Sequence, residues 1–342
     1  MGGGGRRGGR PTLEMVAARA GVGRGTVSRV VNGAPHVSPQ ARAAVEQAIA
    51  ELGYVPNRAA RALAADRTDT IALVIPEPET RLSAEPFFLD IVRGVSAELG
   101  HTDIQLLLML IRTPQERRRL AQHLEARRVD GVLLVSVHED APLPGLLQRL
   151  GVPTVLGGRR SEREWMSYVD ADNVGGARSA TEHLLGRGRR TVATITGPLD
   201  MYAARCRLDG YLQAMGAAGR GADESLVARG DFTEEGGRAA MRELLERHPG
   251  VDAVFAASDV MASGALHVLR EAGRRVPDDV ALIGFDDSMV ARHSAPPLTS
   301  VRQPTEEMGR TMTRTLLEEL DARTAVRRHV VLSTDLVVRE ST

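Results

Sequence analysis

Between residues 12 and 53, apolar positions recur every three or four residues, the spacing of helices that bury one face. In "TLEMVAARA", Leu13, Val16, Ala17 and Ala20 share a face, Thr12 is placed to cap and Gly21 to stop. In "AGVGRGTVSRVVNG", Val22, Val27, Val30 and Val31 recur and Asn32-Gly33 ends the pattern. In "VSPQARAAVEQAIAELGY", Ser38 is an N-cap and Pro39 takes the first helical position. Val45, Ala48, Ile49 and Leu52 form its stripe, and Gly53 stops it. Two short helices joined by a three- or four-residue turn containing Gly predict a helix-turn-helix. Beyond Pro56, Asn57 can cap a short alanine-rich helix over 58–65 whose one large apolar residue is Leu63. Such a helix is marginal alone and forms chiefly when docked.

From residue 70 the pattern changes to short continuous apolar runs at 71–75, 106–111, 131–137, 153–158, 191–197, 253–258 and 280–286. Amphipathic stretches separate them, at 89–99, 115–127, 174–187, 203–216, 234–247 and 260–272. Apolar strands alternating with helices predict parallel sheets covered on both faces. The fold class is therefore a small all-α helix-turn-helix head and an α/β body of two parallel-sheet subdomains.

Charge sharpens this division. The chain has 342 residues and zero formal net charge, yet residues 1–65 carry nine Arg against three Glu. A basic head on an acidic body points to a polyanion partner for the head alone. One cysteine, Cys206, excludes an internal disulfide. The N-terminus "MGGGGRRGGRP" has no apolar core of a secretion signal, and no apolar run approaches the ~20 residues that span a bilayer. A cytoplasmic protein with no membrane partner is expected, and residues 1–10 read as a disordered basic tail.

The second helix pairs Arg24 and Arg29 with Gly25, Thr26 and Ser28. Small residues let a helix approach closely, Arg reads a guanine edge by a bidentate pair, and Thr26, Ser28 and Asn32 suit phosphates or bases. The bland alternative is a surface helix of a small bundle. In the body, chemistry gathers just past the predicted strands, where ligands of such sheets bind. Phe87 and Phe88 follow the first run, and "YVDADNVGG" supplies Asp170, Asp172 and Asn173. Arg205 and Arg207 follow "TVATITG", Phe232 ends "RGDF", and Ser258, Asp259, Asp286 and Asp287 close later runs. Carboxylates and Arg make charge-assisted bonds to hydroxyls, and Phe faces stack on a sugar or a base. Against that, Phe87 fits a core, Arg205 a surface ion pair, and Asp259 a helix cap rather than a ligand contact.

The stretches "TLEMVAARAGVGRGTVSRVVNG", "VSPQARAAVEQAIAELGYVPNRAARALA" and "TIALVIP", in this order, resemble the lactose-repressor (LacI/GalR) family of transcription regulators. Its likeness runs on through "VPDDVALIGFDDSMVARHSAPPLTSVRQPTEEMG", similar to that family's periplasmic-binding-protein-type sensor. The resemblance implies a helix-turn-helix over 11–56, a hinge helix and linker over 57–68, and an effector-binding and dimerisation domain over 69–342. It implies three crossings between an N-subdomain (about 69–167 plus 302–326) and a C-subdomain (about 168–301 plus 327–342). The DNA-facing residues it implies are Thr12, Arg24, Gly25, Thr26, Ser28, Arg29, Asn32, Tyr54, Asn57, Ala60 and Leu63, the last a minor-groove wedge. The effector residues are Phe87, Phe88, Asp172, Arg207, Phe232, Ser258, Asp259 and Asp286. Arg207, Phe232 and Asp286 match the effector arginine, stacking aromatic and hydroxyl-binding carboxylate.

Met15 and Gly23 depart from the pattern, which usually has an acidic residue and a Ser there, and Ser258 stands where Asn is frequent. The implied function is operator binding controlled by a small molecule, a sugar by the common mode or a purine-type corepressor by the alternative. The partners are a pseudo-palindromic DNA duplex, the effector and a second copy, with no cofactor and no metal. The chain ends at "VVREST" without a leucine heptad, so a dimer rather than a tetramer is expected. A secreted solute-binding protein would lack the basic head. An enzyme on a nucleotide-binding fold would need "GVGRGT" to follow a strand, and it follows a helix.

Overall fold

The computed structural model describes residues 11–31, 36–54, 67–221, 223–322 and 326–342. They form two units, one ending at Asp69 and the other running from Thr70 to Thr342.

The first unit holds helices α1 (Leu13–Ala20), α2 (Arg24–Val31) and α3 (Pro39–Leu52). Their boundaries are chemical. The Thr12 hydroxyl accepts from the Met15 amide and the Ser38 hydroxyl from the Ala41 amide, and Gly21 and Gly53 adopt left-handed conformations at the C-termini. Val16, Val27, Val30, Val45, Ala48 and Tyr54 close a small core. Asn32, Asn57, Ala60 and Leu63, and the expected hinge helix, lie outside the described residues.

In the second unit, strands and helices alternate. The order is β1 (Thr70–Ile75), α4 (Glu79–Ala84), α5 (Pro86–Leu99), β2 (Gln105–Leu110), α6 (Pro114–Glu125), β3 (Gly131–Val135), α7 (Pro142–Arg149), β4 (Thr154–Gly157) and β5 (Ser167–Ala171). Then follow α8 (Asn173–Gly186), β6 (Val192–Thr196), α9 (Tyr202–Ala217), β7 (Val227–Arg229), α10 (Glu234–Arg247), β8 (Ala253–Ala256), α11 (Asp259–Glu271) and β9 (Ala281–Asp286). The last elements are α12 (Met289–His293), β10 (Thr299–Arg302), α13 (Thr305–Asp321), β11 (His329–Leu332) and β12 (Asp335–Val337).

Two six-stranded sheets result, ordered β11-β5-β4-β3-β1-β2 and β12-β10-β9-β8-β6-β7. All pairings are parallel except β10 with β12. Each sheet has an apolar cluster on both faces, so the continuous apolar runs are strands buried from two sides.

The sheets correct two of the expected subdomain limits. Ser167–Ala171 pairs with β4, so the first crossing falls after 171 and not before 168. β11 pairs with β5, so residues 329–332 stay with the N-subdomain and do not join the second sheet. Backbone pairing, rather than the change in composition, decides both. The remaining crossing, between β10 and α13, falls at 303–304.

Candidate functional site

The head presents α2. Val27 and Val30 point into the core, which leaves Arg24, Gly25 and Arg29 exposed and Thr26 and Ser28 half-buried. Arg29 Nε donates to the Gly25 carbonyl at 3.2 Å, holding its stem along the helix. Arg24 lies 3.3 Å from the Glu14 carboxylate, a neighbour that sequence spacing did not reveal because it comes from α1. Tyr54, expected at a DNA contact, has its ring in the head core, and Thr12 caps α1.

The body carries a cleft at the C-terminal ends of the strands of both sheets. Of the expected effector residues, Phe87, Phe88, Arg207, Phe232, Ser258 and Asp286 line it. Arg207 is its centre. α9 projects the guanidinium, whose Nε donates to Asn173 Oδ1 at 2.9 Å, Nη1 to the Ala257 carbonyl at 2.6 Å and Nη2 to Gln303 Oε1 at 3.2 Å. Its flat face lies 3.7 Å from the Phe285 ring centre, and Asp286 stands 3.7 Å away.

Burial lowers the Arg207 pKa, with Asp286 the largest opposing influence. Burial pushes the Asp286 carboxyl well above its usual value, and the nearby guanidinium opposes that rise. The pair thus offers a forked donor and an acceptor side by side, the combination that grips vicinal hydroxyls.

Ser136, Phe232 and Asp286 line the cleft with φ of 55°, 67° and 110°, conformations that L-residues rarely adopt. Such strain collects at binding sites because the fold must hold it there. Phe232 can lie flat in the wall because residue 197 is Gly: a Cβ there would run into its ring.

Asp172 and Asp259 do not line the cleft. Asp172 caps α8, accepting from the Gly175 amide at 2.8 Å, while its neighbours Asp170 and Asn173 reach the cavity. Asp259 is fully buried behind the wall, accepting from the Ser288 amide at 2.7 Å and Ser300 Oγ at 2.6 Å. Burial pushes its carboxyl up to about 7. It is also not the cap of α11: the Ser258 hydroxyl takes that role, accepting from the Met261 amide. Asp287 binds Arg302, Arg292 and Arg339. Arg205 pairs with Glu139 at 2.6 Å.

Sequence reading found Phe87 and Phe88 but missed the charged part of the N-subdomain wall. Arg81 and Glu85, an ion pair one helical turn apart, line the cleft with Arg159 and Gln303. Arg81 lies 5.9 Å from the Phe88 ring centre and 5.3 Å from that of Phe232. The i, i+4 spacing of Arg81 and Glu85 was the available signal.

A helix-turn-helix head and a two-sheet body with a polar, aromatic cleft define a DNA-binding regulator with a ligand-sensing domain. Residues 12–57 match the model of bacterial regulatory proteins of the lacI family, and residues 181–342 that of a periplasmic binding protein-like domain. The chain is 57% identical to the HTH-type transcriptional regulator CelR of Thermobifida fusca, over 97% of this chain and 98% of that protein. A structure described as a CelR–cellobiose complex superposes with a TM-score of 0.78 at 55% identity, covering 97% of this chain and 100% of that one. The lac repressor dimer bound to operator and the anti-inducer ONPF superposes with a TM-score of 0.84 at 28% identity, covering 97% and 99%. The chain belongs to the LacI family and is a DNA-binding transcriptional regulator. Among the described residues no helix is long and apolar enough to cross a membrane.

Proposed function

We propose that this regulator binds a pseudo-palindromic operator as a homodimer and releases it when a disaccharide of the cellobiose kind fills the cleft. The observation that carries the reading is the Arg207–Asp286 pair set among Asn173, Gln303 and the Phe232 ring. A sugar ring has an apolar C–H face and a rim of hydroxyls, and this wall offers an aromatic face beside a forked donor and a carboxylate. The relative solved with cellobiose is 55% identical over nearly the whole chain, which supports a sugar over a purine.

Operator release follows if the sugar binds more tightly to one arrangement of the subdomains than to the arrangement that holds DNA. Couplings of ~1–3 kcal/mol change affinity by about 5- to 150-fold. The test is calorimetric titration with cellobiose, ribose and a purine, followed by duplex binding with and without the ligand that binds. Cellobiose should bind and weaken duplex affinity within that range. Binding of the purine alone, with strengthened duplex affinity, would replace the reading with corepression.

A further inference from the structure

A chain of ionisable side chains leads from the cleft wall to the contact between the two subdomains. It begins at Arg81, which lines the cleft and pairs with Glu77 at 2.6 Å as well as with Glu85. The Glu77 oxygen Oε1 also accepts from Ser136 Oγ at 2.5 Å and lies 3.1 Å from His138 Nε2. The second ring nitrogen, His138 Nδ1, lies 2.6 Å from Asp200 Oδ2. Glu77 and His138 follow β1 and β3 of the first sheet, whereas Asp200 follows β6 of the second. The imidazole therefore stands between a carboxylate of each subdomain.

Neighbouring bonds reinforce the junction. The Glu139 amide donates to the Asp200 carbonyl at 2.8 Å. Arg205, on the Asp200 side, pairs with Glu139 at 2.6 Å and donates to the Arg160 carbonyl at 3.0 Å. These contacts also cross between the subdomains.

A neutral imidazole has one N–H donor and one lone pair. Placed between two carboxylates, it would set that lone pair against an anionic oxygen. Only the imidazolium donates from both nitrogens. We propose that His138, as its imidazolium, is the residue that clamps the two subdomains into the ligand-holding arrangement, so that binding in the cleft takes up a proton. This rests on the cleft being the effector site.

The charges around the ring agree with that role. Glu77 and Asp200 face it directly. Arg81 lies beyond Glu77, Glu85 lies beyond Arg81, and Glu139 and Arg205 neutralise each other alongside. The hydrogen bond to Glu77 raises the His138 pKa above its ordinary 6.5, burial opposes the rise, and Asp200 adds to it. Opening the cleft removes Asp200 while Glu77, of the same subdomain as His138, stays, so the value falls by the Asp200 contribution alone. The clamped arrangement therefore holds more protons. Its stabilisation is complete below about pH 6.5 and is lost as pH rises through the raised value. Asp259 and Asp286 also titrate high, so a pH dependence by itself does not identify the group. The variant does.

The experiment uses the full-length protein with ¹³C-labelled histidine. Ring signals are titrated with cellobiose bound and without it, and the His138 signal is assigned by its loss in His138→Gln. The expected result is a His138 pKa above 6.5 with sugar bound that falls in Asp200→Asn. Asp200 is exposed, so that variant keeps the fold even if His138→Gln does not. Cellobiose affinity is then measured at pH 6 and pH 8.5. Wild type should weaken about three- to tenfold across this span, within the limit for one proton, while both variants should lose most of that dependence and keep only what Asp259 and Asp286 contribute. A His138 value at or below 6.5 with sugar bound, or a pH dependence that both variants keep in full, overturns the proposal. If cellobiose binds at neither pH, the effector reading fails, and a sugar-free His138 value that Asp200→Asn leaves unchanged overturns the clamp as well.

Discussion

Arg207 shows how one side chain can define a site. Its guanidinium is buried, its three nitrogens donate to three different elements, and its face covers the Phe285 ring. Lysine would keep the charge opposite Asp286, yet it has no planar fork and no stacking face. Arg207→Lys should therefore fold, bind duplex DNA as wild type does, and lose at least tenfold in sugar affinity by calorimetry. Unchanged sugar affinity would remove Arg207 from the site. The arginine could be picked out from sequence because it follows an apolar run, where such sheets present their ligand groups. Its partners could not: Asn173, Ala257 and Gln303 lie 34, 50 and 96 residues away. Asp172 and Asp259 show the reverse error. Both sit one position from a cleft residue, and the last step of a strand or the first turn of a helix decides which neighbour faces in.

Elements were legible to the extent that their signals are local. The helices of the head follow capping residues and terminal glycines almost residue by residue, because those groups satisfy the helix's own backbone. The long buried strands follow their apolar runs for the same kind of reason. β5, β10, β11 and β12 escaped, and β7 shows only through the Phe232 that follows it. They have five residues or fewer and mix polar with apolar positions, so only their sheet partners define them. α13 escaped as well, although it packs on α5 and closes the first core.

At this scale Gly197 carries a prediction. It ends the segment after β6 where the Phe232 ring must pass, so Gly197→Ala should displace the ring. Sugar affinity should drop at least fivefold, while thermal unfolding shifts by only a few degrees, as ~1 kcal/mol does in a domain of this size. A wild-type sugar affinity would show that the ring does not contact the ligand. The expected hinge helix makes a second prediction. Leu63→Ala should weaken specific duplex binding at least tenfold and leave calorimetric sugar binding untouched, since a wedge touches DNA alone. Equal loss of both would mark Leu63 as a folding residue.

At the level of the whole molecule, charge and symmetry together constrain the operator. The excess of six positive charges in residues 1–65 supplies attraction to any duplex, and that term has no sequence preference. In the proposed reading, discrimination comes mainly from α2, whose exposed face is short and offers Arg24 and Arg29 as its long readers. One such helix touches too few bases to single out a site among a genome's competitors. Two, held by a twofold dimer, read inverted half-sites about one helical turn, ~34–36 Å, apart. Selection of bound duplexes from a random pool at fixed salt should therefore enrich a pseudo-palindrome, with guanines where Arg24 or Arg29 reaches the groove. Glu14→Ala, which frees Arg24 from its ion pair, should alter preference at the Arg24 position and leave the half-site spacing unchanged. Cellobiose added to the selection should reduce the recovered palindrome without changing its sequence, because the sugar acts on the arrangement of the body and not on the reading face. A pool that stays unenriched with and without sugar, and binding that merely weakens with salt, would leave the head as a basic module and refute operator recognition.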